Sequence, residues 1–164
     1  MIPLPLVIPE TEKIDRVDFA RVVRNPATGQ FSLHATAFFD QGDMICEFSA
    51  AEVVDTPSYK TLQIGMKKHI LLSPDCLQYT NHGCDPNVFF DTDQMQVMAL
   101  KSIQPGDEMI FFYPSTEWKM ANAFTCKCGS IKCLGVIEGA STLREEVLQG
   151  YRLTSFIHMQ LKNR

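Results

Sequence analysis

The sequence predicts a mainly β domain with a short helical tail, and three observations carry that prediction. Short apolar or alternating runs recur at close intervals along most of the chain. Turn clusters rich in Gly, Pro, Asn and Asp separate them. A helical period of apolar residues is confined to the C-terminal end.

Taken in order, the opening Met1-Ile2-Pro3-Leu4-Pro5-Leu6-Val7-Ile8-Pro9 has no positive leader and is broken by three prolines, so it reads as an extended arm rather than a signal peptide. Residues 17–24 form a strand or short helix, closed by the turn cluster Asn25-Pro26-Ala27-Thr28-Gly29. Phe31-Ser32-Leu33-His34-Ala35 alternates apolar with polar, as a half-buried strand does, and Asp40-Gln41-Gly42-Asp43 turns the chain into the run Met44-Ile45-Cys46-Glu47-Phe48. Ile70-Leu71-Leu72, Val88-Phe89-Phe90 and Met95-Gln96-Val97-Met98-Ala99-Leu100 continue the pattern. The Pro105-Gly106 turn then leads into the apolar strand Met109-Ile110-Phe111-Phe112-Tyr113. Leu143, Val147 and Tyr151 recur at four-residue steps behind Ser141, a fitting N-cap, with Glu145 and Glu146 in the early turns. Phe156, Ile157, Met159 and Leu161 form a second short helix or an extended tail.

At 164 residues, with 45% hydrophobic and 21% charged residues, the chain is the size of one globular domain with a real core. No stretch is long and apolar enough to span a bilayer, and an intracellular location, nucleus or cytoplasm, is expected. A net charge of −4 argues against binding to a nucleic-acid backbone, which calls for clustered Lys and Arg; a basic peptide is the more natural partner.

The six cysteines divide unevenly. Cys126, Cys128 and Cys133 crowd one Gly-containing loop, whereas Cys46 and Cys76 sit in apolar company. Three thiolates grip a metal, but a closed tetrahedral zinc site needs a fourth ligand, and Cys84 is the obvious candidate. In a reducing compartment this division favours one zinc site and two buried thiols over three disulfides.

Three blocks, Asn81-His82-Gly83-Cys84-Asp85-Pro86-Asn87, Gly106-Asp107-Glu108-Met109-Ile110-Phe111-Phe112-Tyr113 and the Cys126, Cys128, Cys133 cluster, follow one another in an order that resembles a SET domain with its post-SET motif. That family comprises protein-lysine methyltransferases that use S-adenosylmethionine. The resemblance runs from about Gly29 to Gly135. It implies a fold of small curved β-sheets in which the Asn-His segment threads under a loop as a pseudoknot, with a zinc-bound post-SET flap and a short helical tail. The expected organisation is an N-terminal arm with a first strand or helix over 1–27, a SET domain over 28–119, a post-SET zinc segment over 120–138 and a helical tail over 139–164.

The same resemblance implies roles residue by residue. Asn81 and His82 contact the methyl donor, Phe31 and Ser32 lie in the donor loop, and Cys84, Cys126, Cys128 and Cys133 ligate one structural zinc. Tyr113 is the catalytic tyrosine that aligns the lysine amine with the donor methyl. Phe111 falls where the family has Phe or Tyr; phenylalanine implies a dimethyl or trimethyl product, and plain core packing is the alternative. Phe124 and Trp118 roof the lysine channel or the donor's adenine, or serve as packing residues. Phe48 stands where the family commonly has a tyrosine, Phe112 where it has an aspartate, and Gly83 where it has a serine. The interval from Ala35 to Gly42 places Gln30 and Ser32 where the donor loop has its two glycines, residues that let a backbone approach a ligand closely. The segment over 53–73, which grips the peptide in the family, is short and carries the basic run Lys67-Lys68-His69.

Three functions follow as expectations. The first is S-adenosylmethionine-dependent methylation of a lysine in a protein or peptide. The second is a SET-like enzyme redirected to a small molecule, with an aromatic cavity built from Phe48, Phe111, Phe112 and Tyr113. The third is a non-catalytic zinc-containing interaction module. The C-terminal segment is a candidate for closing the cleft, forming a dimer or binding a partner.

Overall fold

In the computed structural model the chain is described over residues 6–7 and 17–164. Most of the predicted N-terminal arm lies outside these residues; Leu6–Val7 (β1) pairs antiparallel with Val23 and Arg24. The segment left open between strand and helix is a strand, Ala20–Arg24 (β2), whose buried Ala20, Val22 and Val23 reach the core. The Asn25 to Gly29 turn returns it onto Phe31–Ala35 (β3), with Gly29 at φ 73°.

Met44–Glu47 (β4), Val88–Asp91 (β9) and Gln96–Ala99 (β10) form a second sheet in the order β4-β10-β9. Ser49–Val54 (β5), Thr61–Gly65 (β6) and Lys68–Ser73 (β7) form a third, in the order β5-β7-β6. This third sheet is the largest departure from the sequence reading, which marks only Ile70-Leu71-Leu72 within it. β5 is Ser-Ala-Ala-Glu-Val-Val with an exposed face, so it lacks the apolar alternation that announces a strand. Lys67, inside the basic run, holds the β6–β7 hairpin at φ 48°, and His69 of that run is buried.

The short strand Asn81–His82 (β8) runs parallel to Ile110–Phe111 (β11), pairing Asn81 with Ile110 and His82 with Phe111. Asn87 reinforces the pairing: its amide Nδ2 donates to the Glu108 carbonyl and its Oδ1 accepts from the Ile110 N–H, each at 2.9 Å. Gly83 permits this approach, because a Cβ there would meet Ile110 Cδ1 at 2.6 Å; that contact is a physical reason for glycine where the family pattern has serine. Leu33, Ile70, Leu77, Phe90 and Ile103 fill the main core beneath these sheets, together with Cys76.

Past β11 the chain leaves the strand earlier than expected: Tyr113–Ser115 form a 3-10 turn, favoured by Pro114 within it. Phe124–Thr125 (β12) and Val136–Ile137 (β13) then close a hairpin around the cysteine loop.

The helix expected behind Ser141 does not form. Ser141 sits inside a 3-10 turn, Ala140–Thr142, and Leu143 is extended at φ −89°, ψ 145°. Among the described residues, regular α structure is confined to Glu145–Leu148 (α1) and to Ser155–Lys162 (α2), where the Thr154 hydroxyl caps the helix by accepting from the Ile157 N–H. Tyr151 lies between the two. No helix among the described residues is long and apolar enough to cross a membrane.

Candidate active site and metal centre

Two short segments build the site, β8 and the turn after β11, and their parallel pairing brings together residues that are distant in the chain. His82 projects between two aromatic rings: its ring centroid lies 5.2 Å from that of Tyr113 and 5.6 Å from that of Phe124, both edge-on. Its Nδ1 accepts the Tyr113 N–H at 3.1 Å, which assigns the remaining ring hydrogen to Nε2. Burial lowers the His82 pKa to about 4, so the ring is neutral near pH 7. Asn81 turns its amide to the Phe31 carbonyl at 2.9 Å and to Glu108 Oε1 at 3.2 Å, tying the start of β3 to β8.

Tyr113 forms the junction between this segment and a cavity of about 270 Å³. The cavity's walls are largely apolar, with Leu62, Leu72, Leu77, Phe111 and Phe124 among them, and Thr80, Tyr113 and Glu117 are polar residues in its lining. Residues 57–60 and 120–123 flank it as exposed loops. The Tyr113 hydroxyl donates to the Thr80 carbonyl at 3.3 Å. Burial, and then the charge of Glu117, push the Tyr113 phenol up to about 12, so it stays protonated.

Glu117 is the residue that sequence reasoning passed over. It follows Tyr113 by one tight turn, its N–H bonded to the Tyr113 carbonyl at 2.9 Å, and it is only 7% exposed. The Gln63 N–H and the Thr116 hydroxyl both donate to its Oε2, at 3.0 and 2.7 Å. Desolvation raises its carboxyl to about 7. The signal was spatial: Gln63 reaches it from β6, and no local pattern marks a glutamate after Ser-Thr as buried.

The predicted residues separate into those the structure gathers and those it does not. Asn81, His82, Tyr113, Phe111 and Phe124 converge. Phe31 offers its carbonyl to this group while its ring packs on Tyr79, 5.3 Å between centroids. Ser32 lies on the opposite face of β3, its hydroxyl 2.9 Å from His34 Nε2. Three residues expected in the substrate channel do not line the cavity. Phe48 is buried against Phe90, Phe112 is buried in a second core cluster where it stacks on Tyr151 at 3.7 Å and 10°, and Trp118 packs at the edge of that same cluster. Phe112 departs from the cavity because successive strand residues face opposite sides: Phe111 and Phe112 cannot both point inward.

The four cysteines form the second centre. Their sulfurs all lie within 4.8 Å of one another, and Cys84 Sγ is 3.8 Å from Cys126 Sγ. A regular tetrahedron of thiolates about 2.3 Å from zinc has edges of about 3.8 Å, so the residues present fit that ion. Cys84 is fully buried, and the Leu134 N–H donates to its sulfur at 3.4 Å, the kind of outer contact that orients a metal ligand. Zinc bound there would fix the hairpin that carries Phe124 against the segment that carries His82.

Comparison with known proteins places the chain. Residues 30–114 match the SET domain family. Methyltransferase flvH of Aspergillus flavus is 32% identical over 92% of this chain and 85% of its own length. A histone-lysine N-methyltransferase, H3 lysine-36 specific, of Chaetomium globosum is 24% identical over 79% of this chain but only 17% of its own length. Among solved structures, KRYPTONITE in complex with mCHG DNA and SAH superposes on 74% of this chain and 30% of its own with a TM-score of 0.57 at 19% identity, a likeness of fold. The chain belongs to the SET-domain family, and its class is that of the SET-domain methyltransferases.

Proposed function

We propose that this chain transfers a methyl group from S-adenosylmethionine to an amine nitrogen, the side chain of a lysine in a protein substrate. One observation carries the reading: Tyr113 faces the cavity on one side and packs on His82 on the other, so a substrate chain entering the cavity meets the Asn81–His82 segment at the tyrosine.

The donor supplies a methyl already activated on a sulfonium, which leaves the protein the tasks of holding, aligning and excluding water. Asn81, His82 and the ring of Phe124 are the residues that would hold it, with the Phe31 carbonyl fixing the Asn81 amide. They suit a cationic, aromatic ligand: His82 is neutral, and Phe124 presents a ring beside it. Tyr113 aligns the acceptor. With its hydrogen directed at the Thr80 carbonyl, the phenol oxygen keeps its lone pairs for an amine N–H. Phe111, next to it in the lining at 4.7 Å between centroids, offers no second hydroxyl, which leaves room for an amine that already carries methyl groups.

A second reading, a free small-molecule amine as acceptor, draws on the cavity itself, which is bounded by loops 57–60 and 120–123 and is of a size to enclose such a molecule. The experiment for both is calorimetry with S-adenosylhomocysteine followed by labelled-methyl transfer. Binding is expected in the micromolar range or tighter, and Tyr113→Phe should cut transfer by about 10²-fold with donor affinity unchanged. Absence of heat at millimolar ligand would reject the donor assignment.

A further inference from the structure

A carboxylate is an unusual thing to bury in an apolar cavity without a cation. Among the described residues no ion pair involves Glu117, and both hydrogen bonds to its carboxylate fall on Oε2. The residue nevertheless lines the cavity, and among the described residues no hydrogen bond reaches its Oε1. The neighbouring charged and titratable groups of the lining are Tyr113, one turn earlier, and Tyr59 and Lys60 on the exposed loop, where Lys60 Nζ lies over the Tyr59 ring at 5.5 Å.

We infer that Glu117 is the floor of a cation-binding site, which selects substrates that bring a protonated primary or secondary amine into the cavity. The carboxylate is held for this by donors from two elements, the Gln63 N–H of β6 and the Thr116 hydroxyl, so its Oε1 lobe keeps a fixed aim without a charged partner. Gln63 is itself fixed by its Oε1, which accepts the Trp118 N–H at 2.8 Å. An uncompensated buried charge is costly, and a ligand ammonium removes that cost by pairing with it. The apolar walls made by Leu62, Leu72, Leu77 and Phe124 suit the carbon chain behind such a head group. Raised proton affinity of the empty site agrees with this, since the proton is then the cation that compensates the charge.

This inference deepens the proposed reaction by naming how the acceptor is recognised, and it is tested by binding rather than by turnover. The probes are n-butylammonium and its neutral near-isostere n-butanol, titrated by amide NMR at mildly alkaline pH, where the carboxylate is ionised and the amine still protonated. The ammonium should bind at least about tenfold more tightly, as expected for a hydrogen bond between charged groups. It should shift the amides of Gln63 and Trp118, whose hydrogen bonds run to or beside the carboxylate. Glu117→Gln keeps an oxygen for both donors and should bring the two probes within about twofold. Equal binding of both probes, binding of neither, or an unchanged preference in E117Q would each overturn the inference. The comparison within the wild-type protein stands even if the variant folds poorly. Ammonium binding by a chain that ignores S-adenosylhomocysteine would leave this site in place and remove only the methyl-transfer reading.

Discussion

Burial makes Glu117 a proton-linked residue of the fold as well as a wall of the cavity. Its carboxyl is raised from an ordinary 4.5 to about 7, so between those values the folded chain holds a proton that the unfolded chain has released. Stability from this group is therefore full below about pH 4.5 and is lost as the pH rises through 7, by on the order of 3 kcal/mol. Of the groups bonded to it or one turn away, Gln63 and Thr116 carry no titratable side chain and the Tyr113 phenol is pushed up to about 12. Urea midpoints of wild type and Glu117→Gln, measured at pH 5 and pH 8, isolate the effect: the wild type should lose stability relative to the variant on going to pH 8. Parallel behaviour would mean that the carboxyl is not desolvated. The meeting of Tyr113, Asn81 and His82 at one place is legible in the sequence, because each stands inside a motif whose neighbours are also in place. Glu117 is not, since its burial depends on a strand 54 residues away.

At the scale of elements, the sequence reading succeeds where burial follows alternation and fails where it follows long-range packing. β3, β4, β9 and β10 carry buried apolar residues at strand spacing and read as strands, while β2, with the same feature, reads as a strand or a short helix. β6 and β5 do not read as strands, because one is a Thr- and Gln-containing hairpin arm and the other shows most of its side chains to solvent. The C-terminal segment misleads in the opposite sense: Leu143, Val147 and Tyr151 have the right interval, but extended backbone at Leu143 interrupts the helix. What the period detects is a real common target. Leu143 and Tyr151 pack on the second cluster with Phe112, Leu148, Phe156 and Ile157, and this cluster fastens the tail to the strand that delivers Tyr113. Phe112, 1% exposed and stacked on Tyr151, is its centre. Replacing it by alanine should cost about 3–5 kcal/mol, read from urea unfolding. Amide exchange should show α2 losing protection before β2 and β3; protection lost evenly across the molecule would mean that the tail is not a separate unit.

Across the whole molecule, the metal centre, the tail and the candidate active site share one set of contacts around Cys84. Its carbonyl accepts the Tyr151 hydroxyl at 2.7 Å, its sulfur approaches His82 Nε2 at 3.4 Å, and the hairpin that supplies the other three thiols carries Phe124. The third core cluster, Cys84, Cys126 and Ile137 with Phe124 and Leu134 against it, is small, so zinc bound by the four thiols would supply most of the order in this hairpin. Removing zinc therefore acts on function through position. Phe124 loses its place beside His82 and Tyr113, and Tyr151 loses the fixed carbonyl that anchors the tail, whereas the sheet residues Leu33, Ile70 and Phe90 keep every neighbour they have. A strong chelator, or Cys128→Ser, should release one equivalent of zinc, raise amide exchange over residues 124–137 first and the tail second, and weaken S-adenosylhomocysteine by about tenfold or more while β2, β3 and β7 stay protected. Chelation that instead unfolds all the sheets together would show that the metal holds the whole domain, and chelation that leaves ligand affinity intact would separate Phe124 from the donor site.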